Sequence, residues 1–226
     1  MKDTGRIGSN LKDEPDLRVP LFADLHIDSI GLDFEYQARS QGFRLIAGID
    51  EVGRGCLAGS VVAAACILDP SKTLPEGLND SKQVPQNRRV EMAEEIKANA
   101  VAFSFGQVEA EEIDQINILE ATKKAMRIAI AGLTPSADFL LIDAVRLKGI
   151  DLPQLALIKG DAISFSIAAA SVLAKTYRDG MMLEYDERYP QYGFANHVGY
   201  GTTAHFDAIK KYGICPLHRK TFRGVV

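Results

Sequence analysis

The sequence predicts one α/β domain in which a mixed central β-sheet is flanked by helices. Short apolar runs bounded by glycine alternate with longer segments whose apolar residues recur at helical spacing. The chain has 226 residues, which is enough for one sizeable core and short for two full domains. One α/β unit is therefore the simplest architecture.

Short length, apolar character and enrichment in β-branched or aromatic residues identify the strand segments. The first two follow each other closely, which predicts a hairpin. The predicted strands and extended segments are residues 43–49, 60–68, 101–108, 139–143 and 155–158.

Helical spacing of apolar residues identifies four longer segments as helices. These are residues 85–100, 109–132, 163–189 and 202–212. Residues 1–33 are polar, acidic and weakly periodic, so we expect a flexible acidic extension followed by a catalytic domain over residues 34–226.

Charge is unevenly distributed along the chain. The formal net charge is −4, but the segment after residue 187 is basic, with Asp207 as its single acidic residue. This segment could follow a phosphate backbone, or it could be an ordinary basic carboxyl terminus. Its basic residues are Arg188, Lys210, Lys211, Arg219, Lys220 and Arg223.

Cysteine content and hydropathy indicate a cytoplasmic protein without a membrane anchor. The three cysteines are odd in number and show no paired metal-ligand spacing, which predicts reduced thiols. The amino terminus lacks the apolar centre of a signal peptide, and no apolar stretch is long enough to span a bilayer. We also expect a monomer.

Two adjacent acids, Asp50 and Glu51, end the first predicted strand. Adjacent side chains of a regular strand point to opposite faces, so both acids can share a site only if the chain turns there. Gly53 and Gly55 give the backbone freedom for that turn, and Arg54 between them adds a charged fork suited to phosphate. The alternative is an acidic turn with an exposed arginine.

Further acids recur at comparable places. Asp143 ends another apolar strand, and Asp161 lies between a short strand and a long helix, where it is a metal ligand or only a helix N-cap. Asp179 is a rival, but roughly 27 Å of helix separates it from Asp161, so both cannot serve one site. We choose Asp161 and interpret Asp179 as structural or substrate-flanking.

Four clustered carboxylates, Asp50, Glu51, Asp143 and Asp161, could hold two divalent cations. Oxygen-only ligands favour Mg²⁺ or Mn²⁺ over zinc, and a two-cation site is suited to phosphodiester hydrolysis. The four histidines do not have the spacing of a zinc site.

The chain resembles bacterial ribonuclease HII, the type 2 ribonuclease H, over roughly residues 34–222. Each motif is modest alone, but their number and order are specific. The resemblance rests on residues 48–55 (GIDEVGRG), 80–82 (DSK), 142–144 (IDA), 159–161 (KGD), 166–171 (SIAAAS), 174–175 (AK), 178–179 (RD), 189–190 (YP), 192–194 (YGF), 199–202 (GYGT) with His205, and 218–220 (HRK).

This resemblance implies a ribonuclease H-like fold. It also implies metal-dependent cleavage of RNA in RNA/DNA hybrids and nicking on the 5′ side of single ribonucleotides in duplex DNA, which leaves a 3′-hydroxyl and a 5′-phosphate. Matching positions make Asp50, Glu51, Asp143 and Asp161 the catalytic, metal-binding acids. They make Gly53, Arg54 and Gly55 the element that senses the ribose 2′-hydroxyl, and Tyr200 the tyrosine that packs at the RNA–DNA junction.

Departures from the family pattern are small. Cys56 and Ser60 replace usual prolines, and Val198 replaces a common lysine, which removes one possible phosphate contact. From the residues alone, Tyr200 would be a core aromatic. Two other functions stay open: a nucleic-acid-binding protein with weak or lost catalysis, and a different two-metal nuclease or recombinase on the same fold.

Overall fold

The central sheet has five strands and mixed direction. The computed structural model describes residues 29–79, 81 and 84–226, and its strands lie in the order β3-β2-β1-β4-β5. β1 pairs antiparallel with β2, and β2 antiparallel with β3, whereas the β1–β4 and β4–β5 pairs are parallel. The predicted mixed sheet and hairpin are confirmed. The strands are β1 (Ile46–Val52), β2 (Val61–Leu68), β3 (Ala100–Val108), β4 (Phe139–Asp143) and β5 (Gln154–Leu157).

The parallel pairing of β1 with β4 sets the position of the acids. Its register places Ile49 opposite Ile142, so the residues that follow each of them lie at the same end of the two neighbouring strands. Asp50 and Asp143 are those two residues. The sheet therefore brings together carboxylates that are far apart in the sequence.

Helices cover both faces of the sheet. α4 packs on one face, where Ile49, Ala125 and Met126 belong to one buried cluster, and α2 and α5 pack on the other. α1 and α7 each share a buried cluster with α5, and two short 3₁₀ turns cover 160–162 and 190–192. The helices are α1 (Asp33–Ser40), α2 (Gln86–Asn99), α3 (Ala110–Ile116), α4 (Ile118–Ala131), α5 (Phe165–Arg188), α6 (Phe194–His197) and α7 (Thr203–Tyr212).

The long helix α5 lies against β1 at very short range. A Cβ atom added to Gly48 would overlap the backbone of Ser166, so only glycine permits this approach. Ser164 is the N-cap of α5, because its side chain accepts a hydrogen bond from the amide of Ile167. The buried Glu35 of α1 accepts hydrogen bonds from the Ser164 hydroxyl (2.7 Å) and the Ser166 amide (3.0 Å).

Two predicted boundaries differ from the structure. The single helix predicted over 109–132 is wrong: Asn117 has φ +69° and separates α3 from α4. The packed chain also begins earlier than residue 34, since Ile30 and Leu32 pack against the core and Gly31 pairs with Ser164. The first 28 residues of the predicted acidic extension lie outside the described residues.

Candidate active site

Three carboxylates converge at the edge of the sheet where β1 and β4 end. Asp50, Glu51 and Asp143 each offer an oxygen, and these oxygens all lie within 4.8 Å of one another. Asp50 is buried, with 6% of its surface exposed, and the other two are partly buried. The structure thus brings together three of the four acids predicted for the site.

Hydrogen bonds to main-chain amides orient two of these acids. The amide of Glu51 donates to Asp50 Oδ1 at 2.7 Å, and the amide of Gly160 donates to Asp143 Oδ1 at 2.7 Å. Burial raises the pKa of Asp50 well above its usual range, and the neighbouring charges of Glu51 and Asp143 raise it further. The site concentrates negative charge that a cation would neutralise.

Asp161 lies close to this group but outside it. It occupies the 3₁₀ turn at 160–162, and its negative charge contributes to the raised pKa of Asp50. The N-cap alternative for Asp161 is wrong for the long helix, because Ser164 is the cap. Asp179 instead forms ion pairs with Arg89 (3.0 Å) and Lys175 (2.6 Å).

An oxygen-only donor set fits a hard divalent cation. Carboxylates are the ligands that Mg²⁺ and Mn²⁺ prefer, and a bound cation would relieve the repulsion that raises the pKa of Asp50. Asp50, Glu51 and Asp143 could therefore bind a metal, and the turn that carries Asp161 lies next to them.

The two glycines around Arg54 have different surroundings. Gly53 has φ +93°, and a Cβ atom there would overlap the guanidinium of Arg178. At Gly55 the one described group that a Cβ atom would meet is the Tyr200 ring, at 4.0 Å, so no packing among the described residues requires that glycine. The Arg54 side chain is 44% exposed and turns back to Glu51, with 3.0 Å between Nη1 and Oε1.

Tyr200 is a surface residue beside this turn. Its side chain is 40% exposed, so the interpretation as a core aromatic is wrong. The ring faces the open side of Gly55. An exposed aromatic ring and an unobstructed backbone segment therefore lie next to each other.

The predicted basic surface at the carboxyl terminus loses one of its members. Arg219 is fully buried, and its guanidinium donates to main-chain carbonyl groups instead of facing solvent. Arg178 of α5 is buried in the same way. Sequence reasoning missed the role of both residues, although each belongs to a motif of the resemblance.

Two buried histidines, His205 and His218, lie behind Tyr200. Cys215 N donates to His218 Nδ1 at 3.0 Å, so His218 Nε2 carries the proton that it donates to His205 Nε2 at 3.1 Å. His205 Nδ1 then donates to the carbonyl of Tyr200 at 2.9 Å. Burial lowers the pKa of His205, and burial with the nearby His205 lowers that of His218 to about 4, which keeps this chain of imidazoles neutral at pH 7.

The cysteines are free and buried, as predicted. No described helix has the length and apolar character needed to cross a membrane. Two residues of the 80–82 motif, Asp80 and Lys82, lie outside the described residues.

Comparison with known proteins decides the family. Residues 47–225 match the family model described as Ribonuclease HII. The chain belongs to the ribonuclease HII family. Ribonuclease HII of Ruminiclostridium cellulolyticum is 53% identical over 191 residues, which are 84% of this chain and 74% of that protein. Ribonuclease HII of Syntrophotalea carbinolica is 52% identical over 194 residues, 86% of this chain and 92% of that protein.

Solved structures agree with the ribonuclease HII fold. Ribonuclease HII of Archaeoglobus fulgidus, solved in complex with PCNA, superposes with TM-score 0.68 and 26% identity over 80% of this chain and 96% of that one. Ribonuclease H2 of Pyrococcus horikoshii gives TM-score 0.68 at 24% identity, covering 80% and 95% of the two chains. The Bst ribonuclease HIII bound to Mn²⁺ shares the fold, with TM-score 0.62 and 18% identity over 83% of this chain and 70% of that one.

Family membership establishes the general activity. As a ribonuclease HII, the chain is a nuclease that hydrolyses phosphodiester bonds with ribonuclease H-type endonuclease specificity. The acidic group at the sheet edge is the place in the described structure that suits this chemistry.

Proposed function

We propose that this ribonuclease HII cleaves the RNA strand of RNA/DNA hybrids and nicks duplex DNA on the 5′ side of a single embedded ribonucleotide. The products carry a 3′-hydroxyl and a 5′-phosphate. This activity would remove ribonucleotides misincorporated into DNA. The protein would work as a monomer, and its free cysteines are in keeping with a place in the cytoplasm.

One juxtaposition carries the proposal. The three acids lie where β1 and β4 end, and the turn that follows β1 presents Gly55 to the exposed ring of Tyr200. A scissile phosphate at the acids would therefore have its sugar near the turn and the next base pair near the tyrosine. No such ribose-sized recognition element is needed by a nuclease that ignores the 2′-hydroxyl.

Asp50, Glu51, Asp143 and Asp161 would hold two divalent ions, Mg²⁺ or Mn²⁺. When bound, these ions supply an activated water and stabilise the leaving 3′-oxygen. The amides of Glu51 and Gly160 keep Asp50 and Asp143 oriented, so these oxygens need little rearrangement on binding. Burial of Asp50 also strengthens its attraction for a cation.

Ribose recognition would fall to the turn of Gly53, Arg54 and Gly55. A backbone group can reach a 2′-hydroxyl only where no side chain intervenes, and Gly55 meets that condition. Arg54, which is partly exposed and pairs with Glu51, would add a cation for phosphate. Tyr200 would pack on the sugar at the junction from RNA to DNA.

The deciding experiment compares three duplexes: all-DNA, DNA with one ribonucleotide, and RNA/DNA hybrid. We expect Mg²⁺- or Mn²⁺-dependent cleavage of the last two and none of the first, with activity abolished by EDTA. Mapping of the product ends checks the 3′-hydroxyl and 5′-phosphate. Equal cutting of all-DNA and ribonucleotide-containing duplexes would disprove the proposal.

The matched variant is Asp50→Asn. It removes one charge from the acidic group with little change in shape, so turnover should fall at least about 1,000-fold while hybrid binding persists. Wild-type rates in this variant would show that Asp50 is not a metal ligand. Binding without cleavage by the unaltered protein would instead favour a nucleic-acid-binding function.

A further inference from the structure

Two buried arginines have main-chain carbonyls as their hydrogen-bond partners. Arg178 is 1% exposed and Arg219 is 0% exposed. Neither forms an ion pair with an acid among the described residues, although a buried charge without a counterion is costly. The free-energy cost of burying these charges suggests that the hydrogen-bonding geometry of each guanidinium serves a structural purpose.

These carbonyls lie within residues 54–60, the connection from β1 to β2 that begins with the turn expected to recognise the ribose. Arg219 donates from Nε and Nη2 to Gly59 O, at 3.0 and 2.7 Å, and from Nη1 to Arg54 O at 3.0 Å. Arg178 donates to Ser60 O at 3.0 Å and Ala58 O at 3.0 Å.

Arg178 also reaches the segment that carries Tyr200. Its Nη1 donates to Val198 O at 2.8 Å, and the amide of Leu57 donates to Gly199 O at 2.8 Å. Arg178 further fills the space beside Gly53, where a Cβ atom would overlap it. The two guanidiniums thus connect the turn at 53–55 to the segment at 198–200, through their hydrogen bonds to the carbonyls of residues 58–60.

We propose that Arg178 and Arg219 are positioning residues that hold the Gly53–Gly55 turn at a fixed distance from Tyr200 and so set the preference for a single ribonucleotide in DNA. This inference rests on the proposed function of the turn and of Tyr200. Neither arginine touches substrate. Each acts through the backbone that it binds.

Lysine cannot replace either residue. A guanidinium presents five donors in a rigid planar fork, whereas an ammonium is a compact point charge on a flexible stem. A lysine would keep the charge but lose the bridge between carbonyls of different segments. Arg178→Lys and Arg219→Lys therefore separate geometry from charge.

Arg89 provides the matched control. It is a buried arginine too, with 9% exposure, and it donates to Ser81 O and Val84 O and pairs with Asp179. None of these partners belongs to the turn or to the tyrosine segment. Arg89→Lys should therefore cost stability without changing substrate preference.

The first measurement is kcat and KM on single-ribonucleotide duplex and on continuous RNA/DNA hybrid, at a temperature where every variant is fully folded. We expect both test variants to lose about tenfold in the ratio of kcat between the two substrates, with small changes in KM. Arg89→Lys should keep the wild-type ratio. An unchanged ratio in Arg178→Lys and Arg219→Lys would overturn the inference.

A second measurement does not depend on activity. The sequence contains no tryptophan, so Tyr200→Trp introduces a single tryptophan whose fluorescence can be excited selectively over that of the tyrosines. The fluorescence anisotropy of this tryptophan should fall when Arg178→Lys or Arg219→Lys is added to Tyr200→Trp, because the segment becomes more mobile. It should stay constant when Arg89→Lys is added. Constant anisotropy in all three would contradict the positioning role. If wild-type protein fails on ribonucleotide substrates while anisotropy falls as expected, only the proposed function is lost.

Discussion

Gly53 and Gly55 are glycines for different physical reasons. Gly53 combines φ +93° with contact to Arg178, so its lack of a side chain serves the fold. Gly55 has neither constraint, so its lack of a side chain keeps space open for something outside the chain. The sequence presents them as a symmetrical pair, and the structure separates them.

Gly53→Ala should therefore affect mainly stability, and Gly55→Ala mainly cleavage. The first should destabilise the protein by about 2 kcal/mol or more, from a disfavoured φ and overlap with a buried side chain. The second should change stability by less than about 0.5 kcal/mol and lower cleavage at a single ribonucleotide at least about tenfold. Urea denaturation and kcat/KM measure the two effects. Equal stability losses would refute this division of roles.

The residue scale also shows the limit of sequence reasoning. The acids could be predicted, because apolar strands that end in carboxylates identify one edge of a sheet. The burial of Arg178 and Arg219 could not be predicted, because a basic residue in a helix or loop has the same local sequence pattern whether it faces solvent or a buried carbonyl. Tertiary contacts alone decide between these outcomes.

At the scale of elements, Asn117 shows how one residue overrides a helical pattern. Apolar spacing continues from α3 into α4 and predicts a single helix. The positive φ of Asn117 breaks that helix, and its side-chain Oδ1 accepts hydrogen bonds from Leu119 N (3.0 Å) and Glu120 N (3.1 Å) as the N-cap of α4. The periodicity of apolar residues reflects the buried face that α3 and α4 share. It carries no information about the change in chain direction between the two helices.

Asn117→Ala should cost about 2 kcal/mol, since it removes the cap and replaces asparagine by a residue that tolerates a positive φ less well. Asn117→Gly is the matched control, because it relieves the backbone and should cost only a few tenths of a kcal/mol. Chemical denaturation gives both values. Equal costs for the two variants would show that backbone conformation does not matter at this position.

At the scale of the whole molecule, the acidic site would link metal binding to the free energy of unfolding. Burial and neighbouring carboxylates raise the pKa of Asp50, so the fold favours its protonated form. That contribution to stability is fully present below the unfolded pKa and is lost as pH rises through the raised pKa. At neutral pH without metal, the native state therefore carries unrelieved repulsion.

Magnesium should raise the melting temperature of the wild-type protein at pH 7. An excess of about tenfold over Kd adds about 1.4 kcal/mol, which corresponds to roughly 3–6 °C for a chain of this size. Asp50→Asn should melt higher than wild type in EDTA and respond little to Mg²⁺. Asp207→Asn removes an exposed charge in α7 and should behave as wild type. A variant at Asp50 that still gains the full shift would contradict the metal assignment.

The pairing of β1 with β4 also determines when the site can exist during synthesis of the chain. Asp50 and Glu51 leave the ribosome early with the β1–β2 hairpin, whereas Asp143 follows only after three helices and another strand have been made. Pairing between such distant segments closes a long loop and is slow compared with hairpin formation. Affinity for a metal would therefore arise late in folding, and a nascent chain with β1, β2 and β3 already assembled would still lack it.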